Sequence, residues 1–229
     1  MPDHTTFLPL PALNVSFALL TLLALYGFYR AVGRDRQLLG MLLLWLLLVS
    51  GIASTGFFLD TRGLPPRLAF VLLPMVVVGL LLGFSRLGAR LRARSSLEAL
   101  HYLQGVRVLV EVVFLHGLYT AGYVARAMTY AGYNFDLLPG LLGPLVGYAV
   151  FKRQWLGARW AIGYNVLGIA VLLSVVIIAV FSAETGYQRF GLGQPTVAIF
   201  YLPFVWLPAV VVPLMLWAHF ISLGKLMRR

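Results

Sequence analysis

Apolar residues run through this chain in seven blocks, at 13–30, 38–59, 68–87, 97–119, 137–151, 160–182 and 196–223, separated by short polar turns. The blocks are continuous rather than alternating or one-faced, and such a run predicts a helix with no water on any side. A helix rises 1.5 Å per residue, so about 20 apolar residues cross the roughly 30 Å hydrocarbon layer of a bilayer. The pattern predicts an all-α bundle of seven transmembrane helices, with the fifth block short and the seventh long and rich in proline. The connections contain no Gly/Ser linker or charge run, so residues 1–229 read as a single domain.

Composition supports this reading. With 61% hydrophobic and 11% charged residues, there is too little polar surface to coat a water-soluble globule. The net charge of +11 raises nucleic acid as a partner, but its recognition gathers basic residues on one folded face. Here they are parcelled between the blocks, which excludes that class and makes the lipid bilayer the expected partner. Arg30, Arg34, Arg36, Arg86, Arg90, Arg92, Arg94, Lys152, Arg153, Arg159, Lys225, Arg228 and Arg229 fall in alternate loops, 13 of the 18 basic residues. The other loops hold Arg62, Arg67, Arg126 and Arg189. Lys and Arg in short loops stay in the cytoplasm, so the N-terminus is expected outside and the C-terminus inside. Sixteen Arg against two Lys suit a high-GC bacterium, and the expected location is the bacterial inner membrane, multi-pass. The chain opens without a basic segment ahead of the first block, which is therefore expected to be retained.

Two regions break the pattern. Between the fourth and fifth blocks, residues 122–136 interleave Tyr123, Tyr130, Tyr133 and Phe135 with Arg126, Asn134 and Asp136. Aromatic residues favour the headgroup layer, so this segment is expected along the outer interface or folded inward as a partial lid. In the seventh block Pro203, Pro208 and Pro213 each remove a backbone donor, which predicts kinks or an opened helix of the kind that borders cavities. Residues 70–78 and 204–212 agree at seven of nine positions, FVLLPMVVV against FVWLPAVVV, a match that Val, Leu and Pro produce by chance.

The fourth block alone carries a stripe of polar groups, His101, Gln104, Arg107, Glu111 and His116. An ionisable group at the centre of a span costs about 2.5–3.5 kcal/mol on insertion scales, so such residues face the interior and find partners. Arg107 and Glu111 are four apart and share a face, predicting a same-helix ion pair with Gln104 one turn away. Tyr148, Asn165 and Tyr201 could join this stripe, and Asp136 could meet His116 near the outer mouth. Those eight residues, Gln104, Arg107, Glu111, His116, Asp136, Tyr148, Asn165 and Tyr201, form the candidate ligand site. A tie that only packs helices is the competing reading.

Other chemistry finds less support. There is no cysteine, which removes disulfides and thiolate chemistry. Zinc requires three or four ligands converging at one depth, and the histidines do not promise that. His101 and His219 could ligate a haem from facing helices, but no attachment motif accompanies them, and no metal or cofactor is expected. Neither a Gly-x-Ser-x-Gly elbow nor a His-Glu-x-x-His helix is present.

Seven crossings with an outside N-terminus resemble microbial rhodopsins and the sugar-transporting triple-helix-bundle family in topology. The retinal lysine has no counterpart, since Lys225 stands at the end of the last block, and the Pro-Gln signature appears reversed as Gln194-Pro195. Residues 128–136 and 137–144, with Gln194-Pro195 and residues 203–208, resemble uncharacterised bacterial integral membrane proteins with no assigned activity. That resemblance implies a membrane location and no chemistry. The function expected is binding or transport of a small molecule through a polar intramembrane pocket. Alternatives are an intramembrane enzyme using Glu111 or His116 as acid or base, and a non-catalytic scaffold or complex subunit. A homo-oligomer is compatible with any of these.

The 13-to-4 bias of basic residues yields a direct test. Reporter fusions at residues 86–94 should score as cytoplasmic and fusions at 122–136 as external; the reverse result at either site overturns the orientation.

Overall fold

The computed structural model describes residues 6–61, 63 and 66–227. Residues 1–5, Arg62, Arg228 and Arg229, used above, lie outside that set. The described chain is helical, with two isolated β-bridges, Phe7 to Leu202 and Ala183 to Thr196. Helix α1 covers Pro11–Ala31, with Pro at its first turn where a missing N–H costs nothing. Helix α2, Arg36–Ser54, is capped by Asp35, whose carboxylate accepts from the Leu38 amide at 3.1 Å. Helices α3 (Ala69–Phe84) and α4 (Arg86–Arg94) meet at Ser85, which caps α4 by accepting from the Gly88 amide at 3.1 Å.

The fourth block is one bent rod made of α5 (Leu97–Leu103), α6 (Val106–Leu109), a π-helical stretch Val110–Leu115 and α7 (His116–Thr120). Helix α8, Leu137–Val146, runs into a π turn Gly147–Lys152; α9 covers Ala158–Ser182; a π turn Leu207–Val211 leads into α10, Val212–Leu226. Joined across these kinks the described residues form eight helices, and four of them, Pro11–Ala31, Arg36–Ser54, Ala158–Ser182 and Leu207–Leu226, are long and apolar enough to cross a membrane.

This departs from seven uniform blocks in three places. Residues 86–94, read as a loop, form α4, because Ser85 starts a new helix and Leu87 and Leu91, four apart, share one face. The fifth block yields only the short apolar helix Leu137–Lys152. In the seventh block residues 201–205 are irregular, and the π turn begins at Leu207.

The arginine-rich loops gather at one end of the bundle. Arg90 pairs with Asp35 at 2.8 Å and donates to Gln37 at 2.9 Å, while Lys225 donates to the Ala93 carbonyl at 3.2 Å. The loop holding Lys152 and Arg153 joins them through the apolar contact of Val150 with Leu97 and Leu226. The opposite end is closed by irregular chain: the amides of Val197 and Ala198 donate to the Tyr123 carbonyl at 3.0 and 3.1 Å, and the Leu202 amide donates to the Thr6 carbonyl at 3.0 Å. Gln194 ties the same cap, donating to the carbonyls of Tyr119 and Val124 at 2.8 and 2.7 Å.

Helix α10 is the axis. In its apolar window 67% of residues are buried, against 28–33% in the other three long helices. Pro213 leaves the Ala209 carbonyl without its helical donor, and the Trp45 indole of α2 supplies one at 2.9 Å. Trp206 likewise donates to Ser50 at 2.9 Å, so α2 is pinned where the proline-rich segment is open.

Glycines allow the closest approaches. A Cβ at Gly140, Gly143 or Gly147 of the fifth block would lie 3.1, 2.7 or 2.9 Å from the Cβ of Arg107, Gln104 or His101. Spaced three and four apart, they press the α8 backbone onto the polar stripe of the fourth block, the small-residue packing that apolar helices use. Gly168 of α9 does the same against His219, whose Cε1 would be 2.3 Å from an added Cβ. Gly168→Ala should therefore destabilise by about 1–3 kcal/mol through overpacking. Gly163→Ala on the same helix meets nothing within 4 Å and should be neutral or stabilising by up to about 1 kcal/mol. Thermal unfolding in detergent compares them, and equal tolerance would refute this packing.

Candidate polar site in the bundle core

Arg107 lies on α6 with 2% of its surface exposed. Its fork takes the Asp136 carboxylate side on: Nε donates to Oδ2 at 2.8 Å, and Nη2 pairs with Oδ1. Nη1 donates to Nε2 of His219 at 3.1 Å and to Oε1 of Gln104 at 3.4 Å. A planar guanidinium matches a carboxylate that arrives in its plane, which the start of α8 provides. The same-helix Arg107–Glu111 pair expected from spacing is thus replaced by a pair across helices.

Glu111 is held instead by Asn134, whose Nδ2 donates to Oε1 and Oε2 at 2.8 and 2.9 Å and to the Met128 carbonyl at 2.9 Å. The Asn134 side-chain oxygen accepts from the Asp136 amide at 2.9 Å, a local turn that orients the carboxylate. Burial alternates through residues 133–136: Asn134 and Asp136 are buried while Tyr133 and Phe135 are exposed. Of the two placements open for residues 122–136, this is the inward fold for Asn134 and Asp136, and the surface for the aromatics between them.

From Arg107 a buried chain of hydrogen bonds continues through His219 Nδ1 and Asn165 Oδ1 at 2.8 Å, Asn165 Nδ2 and His101 Nε2 at 3.0 Å, and His101 Nδ1 and the Leu97 carbonyl at 2.7 Å. Arg107 can only donate, which makes His219 Nε2 an acceptor and puts its ring hydrogen on Nδ1, facing the amide oxygen. Asn165 then donates to His101, whose hydrogen likewise sits on Nδ1. Every link points the same way. Tyr164 packs against both rings, at 5.3 Å from His101 and 5.6 Å from His219, and donates to the Pro139 carbonyl at 3.0 Å. Asn165 and Tyr164 fill the space a haem between these histidines would need, and among the described residues no group of three His, Asp or Glu is placed to hold a metal.

Beside this cluster lies a cleft with about 70 Å³ open to the centres of water-sized molecules, several times what one water occupies. Arg107, Glu111 and Asp136 stand at its polar end; its walls are apolar, from Leu68 and Leu72 around α3, Leu172, Val175 and Val176 of α9, and Val211 and Met215 around α10. Leu72, Val176, Ala179 and Val180, together with Pro208 and Val212, are partly exposed, which puts the mouth on the flank of the bundle where α3 and α9 meet the start of α10.

Of the eight candidate residues, Gln104, Arg107, Glu111, Asp136 and Asn165 come together. His116 does not meet Asp136; its ring stacks on Tyr130 at 5.3 Å. Tyr148 stands at the basic end beneath the Arg153 guanidinium, 5.4 Å from its ring centre, and Tyr201 packs among apolar side chains. Sequence reasoning missed Asn134 and Tyr164 and did not connect His101 and His219 to Arg107. The available signals were the alternation at 133–136 and the glycines at 140, 143, 147 and 168, which mark where backbones touch that stripe.

Helices long and apolar enough to cross a membrane, packed around a buried ionic cluster, point to an all-helical membrane protein. The chain belongs to the family described as a domain of unknown function (DUF8737), matched over residues 64–227. That match takes in α3 to α10 and every residue of the cluster. No curated protein and no solved structure matches the chain.

The changed pairing alters what mutation should do. Asp136→Asn removes the buried partner of Arg107 and should cost about 3–5 kcal/mol. Glu111→Gln keeps an acceptor for Asn134 and should cost about 1 kcal/mol. Thermal or denaturant unfolding ranks the two, and a larger loss for Glu111→Gln would reject the assigned pair.

Proposed function

We propose that this chain is a seven-span protein of a bacterial inner membrane, N-terminus outside and C-terminus in the cytoplasm, that binds or transports a small molecule in the cleft beside Arg107, Glu111 and Asp136. The observation that carries the reading is the cleft itself: apolar walls converging on buried ionisable groups are the usual make-up of a small-molecule site. The setting supports it, since discontinuous helices meeting irregular chain commonly frame substrate sites in transporters. The seven crossings draw on the four long apolar helices, the bent rod of α5 to α7, and the shorter apolar helices α3 and α8. The gathering of basic loops at one end of the bundle favours the proposed orientation.

The scaffold reading draws on one fact, that Arg107 is engaged by Asp136, His219 and Gln104 within the protein. Filling the cleft separates the two. Ala179→Phe on the α9 wall should leave unfolding near that of the parent but strip any small molecule that co-purifies, read as adduct masses by native mass spectrometry. Identical adduct patterns in both proteins would leave the scaffold reading in front.

A further inference from the structure

Resting on the pocket reading, we infer that the cleft takes an organic ammonium: an apolar body along the walls with a cationic N–H group at Glu111. Glu111 has unspent hydrogen-bonding capacity. Glu111 is 1% exposed, and both its oxygens receive the same donor group, Nδ2 of Asn134. That group has two hydrogens and three acceptors in reach, because the Met128 carbonyl also sits at 2.9 Å. A carboxylate offers about four lone-pair positions, so the two hydrogens of Asn134 leave Glu111, which lines the cleft, with acceptor capacity to spare. Asp136 is occupied by the Arg107 fork.

Charge complementarity points the same way. Two carboxyl groups and one guanidinium line the cleft, and the guanidinium is committed to one of those carboxyls. An anion entering here would meet Glu111 before any free cation. An inorganic cation is equally unsuited, since calcium or magnesium gathers six or more oxygens and the remaining walls are hydrocarbon, from Leu72, Leu172, Val175, Val176, Val211 and Met215. An ammonium needs only a few acceptors and brings its own apolar surface. The flank mouth between α3 and α9 suits a molecule already dissolved among acyl chains.

Three eight-carbon probes, n-octylammonium, n-octanol and n-octanoate, test this by equilibrium dialysis against the full chain in nanodiscs at neutral pH. Ala179→Phe nanodiscs supply the background of lipid partitioning. A hydrogen bond to a charged group is worth roughly a factor of ten or more, so octylammonium should bind at least about tenfold tighter than octanol. Octanoate should not exceed the background. Glu111→Gln should lose the ammonium preference while keeping octanol binding. Octanoate binding tighter than octylammonium, or an unchanged preference in Glu111→Gln, would overturn the ammonium assignment while leaving the pocket in place. If no probe binds the parent above the Ala179→Phe background, the pocket reading itself fails. The comparison among probes on the parent protein stands even if Glu111→Gln misfolds.

Discussion

The interaction on which the rest depends is the buried bidentate pair between Arg107 and Asp136. An arginine among apolar helices is tolerated only when its N–H groups meet acceptors, and here those come from three residues, Asp136, His219 and Gln104, with His219 held in turn by Asn165 of α9. Because each partner is drawn from a different helix or segment, satisfying one side chain fixes α6, α8, α9 and α10 relative to one another. A buried ion pair of this kind does not have to add net stability over an apolar core. What it enforces is register, since a slip of one residue in any partner leaves a charge exposed to hydrocarbon.

The pair also explains the unusual course of the chain at the capped end. Asp136 stands immediately before α8, beside Arg107 in the middle of the α5 to α7 rod, so the residues ahead of it must descend into the protein as irregular backbone. Such backbone carries unpaired amides and carbonyls and survives beside apolar helices only where protein covers it. Val124, Ala125, Met128 and Thr129 are buried, and Tyr123, Thr196 and Gln194 exchange hydrogen bonds between the two irregular segments. The cap is the means by which a carboxylate is delivered to the interior.

The helices were legible in the sequence because apolar runs report burial or lipid contact on all sides, and Arg107 was legible because nothing else makes a guanidinium affordable there. Its partner was not. Spacing along one helix proposed Glu111, but a carboxylate from a loop can approach in the plane of the guanidinium, and loop geometry is not encoded in periodicity. The inner half of the network was hidden for a related reason: His101 and His219 lie near the ends of their blocks and on different helices, and no spacing rule joins them to Arg107, whereas the glycines of the fifth block and α9 let the helices close over them. Helix α4 was missed because its charge suggested a turn, although Ser85 is a good cap and the leucines fall on one face.

Asp136 is at once the last residue of the capping segment and the counter-charge of the core. Lifting that segment to admit a molecule from the capped end would separate the ion pair at a cost of roughly 3–5 kcal/mol. At about 1.4 kcal/mol per tenfold, the lifted state would be populated once in roughly a hundred to several thousand molecules. A path through the flank between α3 and α9 would leave that pair intact. Under the small-molecule function proposed above, the electrostatics of one residue pair favour entry from the side, out of the surrounding lipid, over entry from the water above.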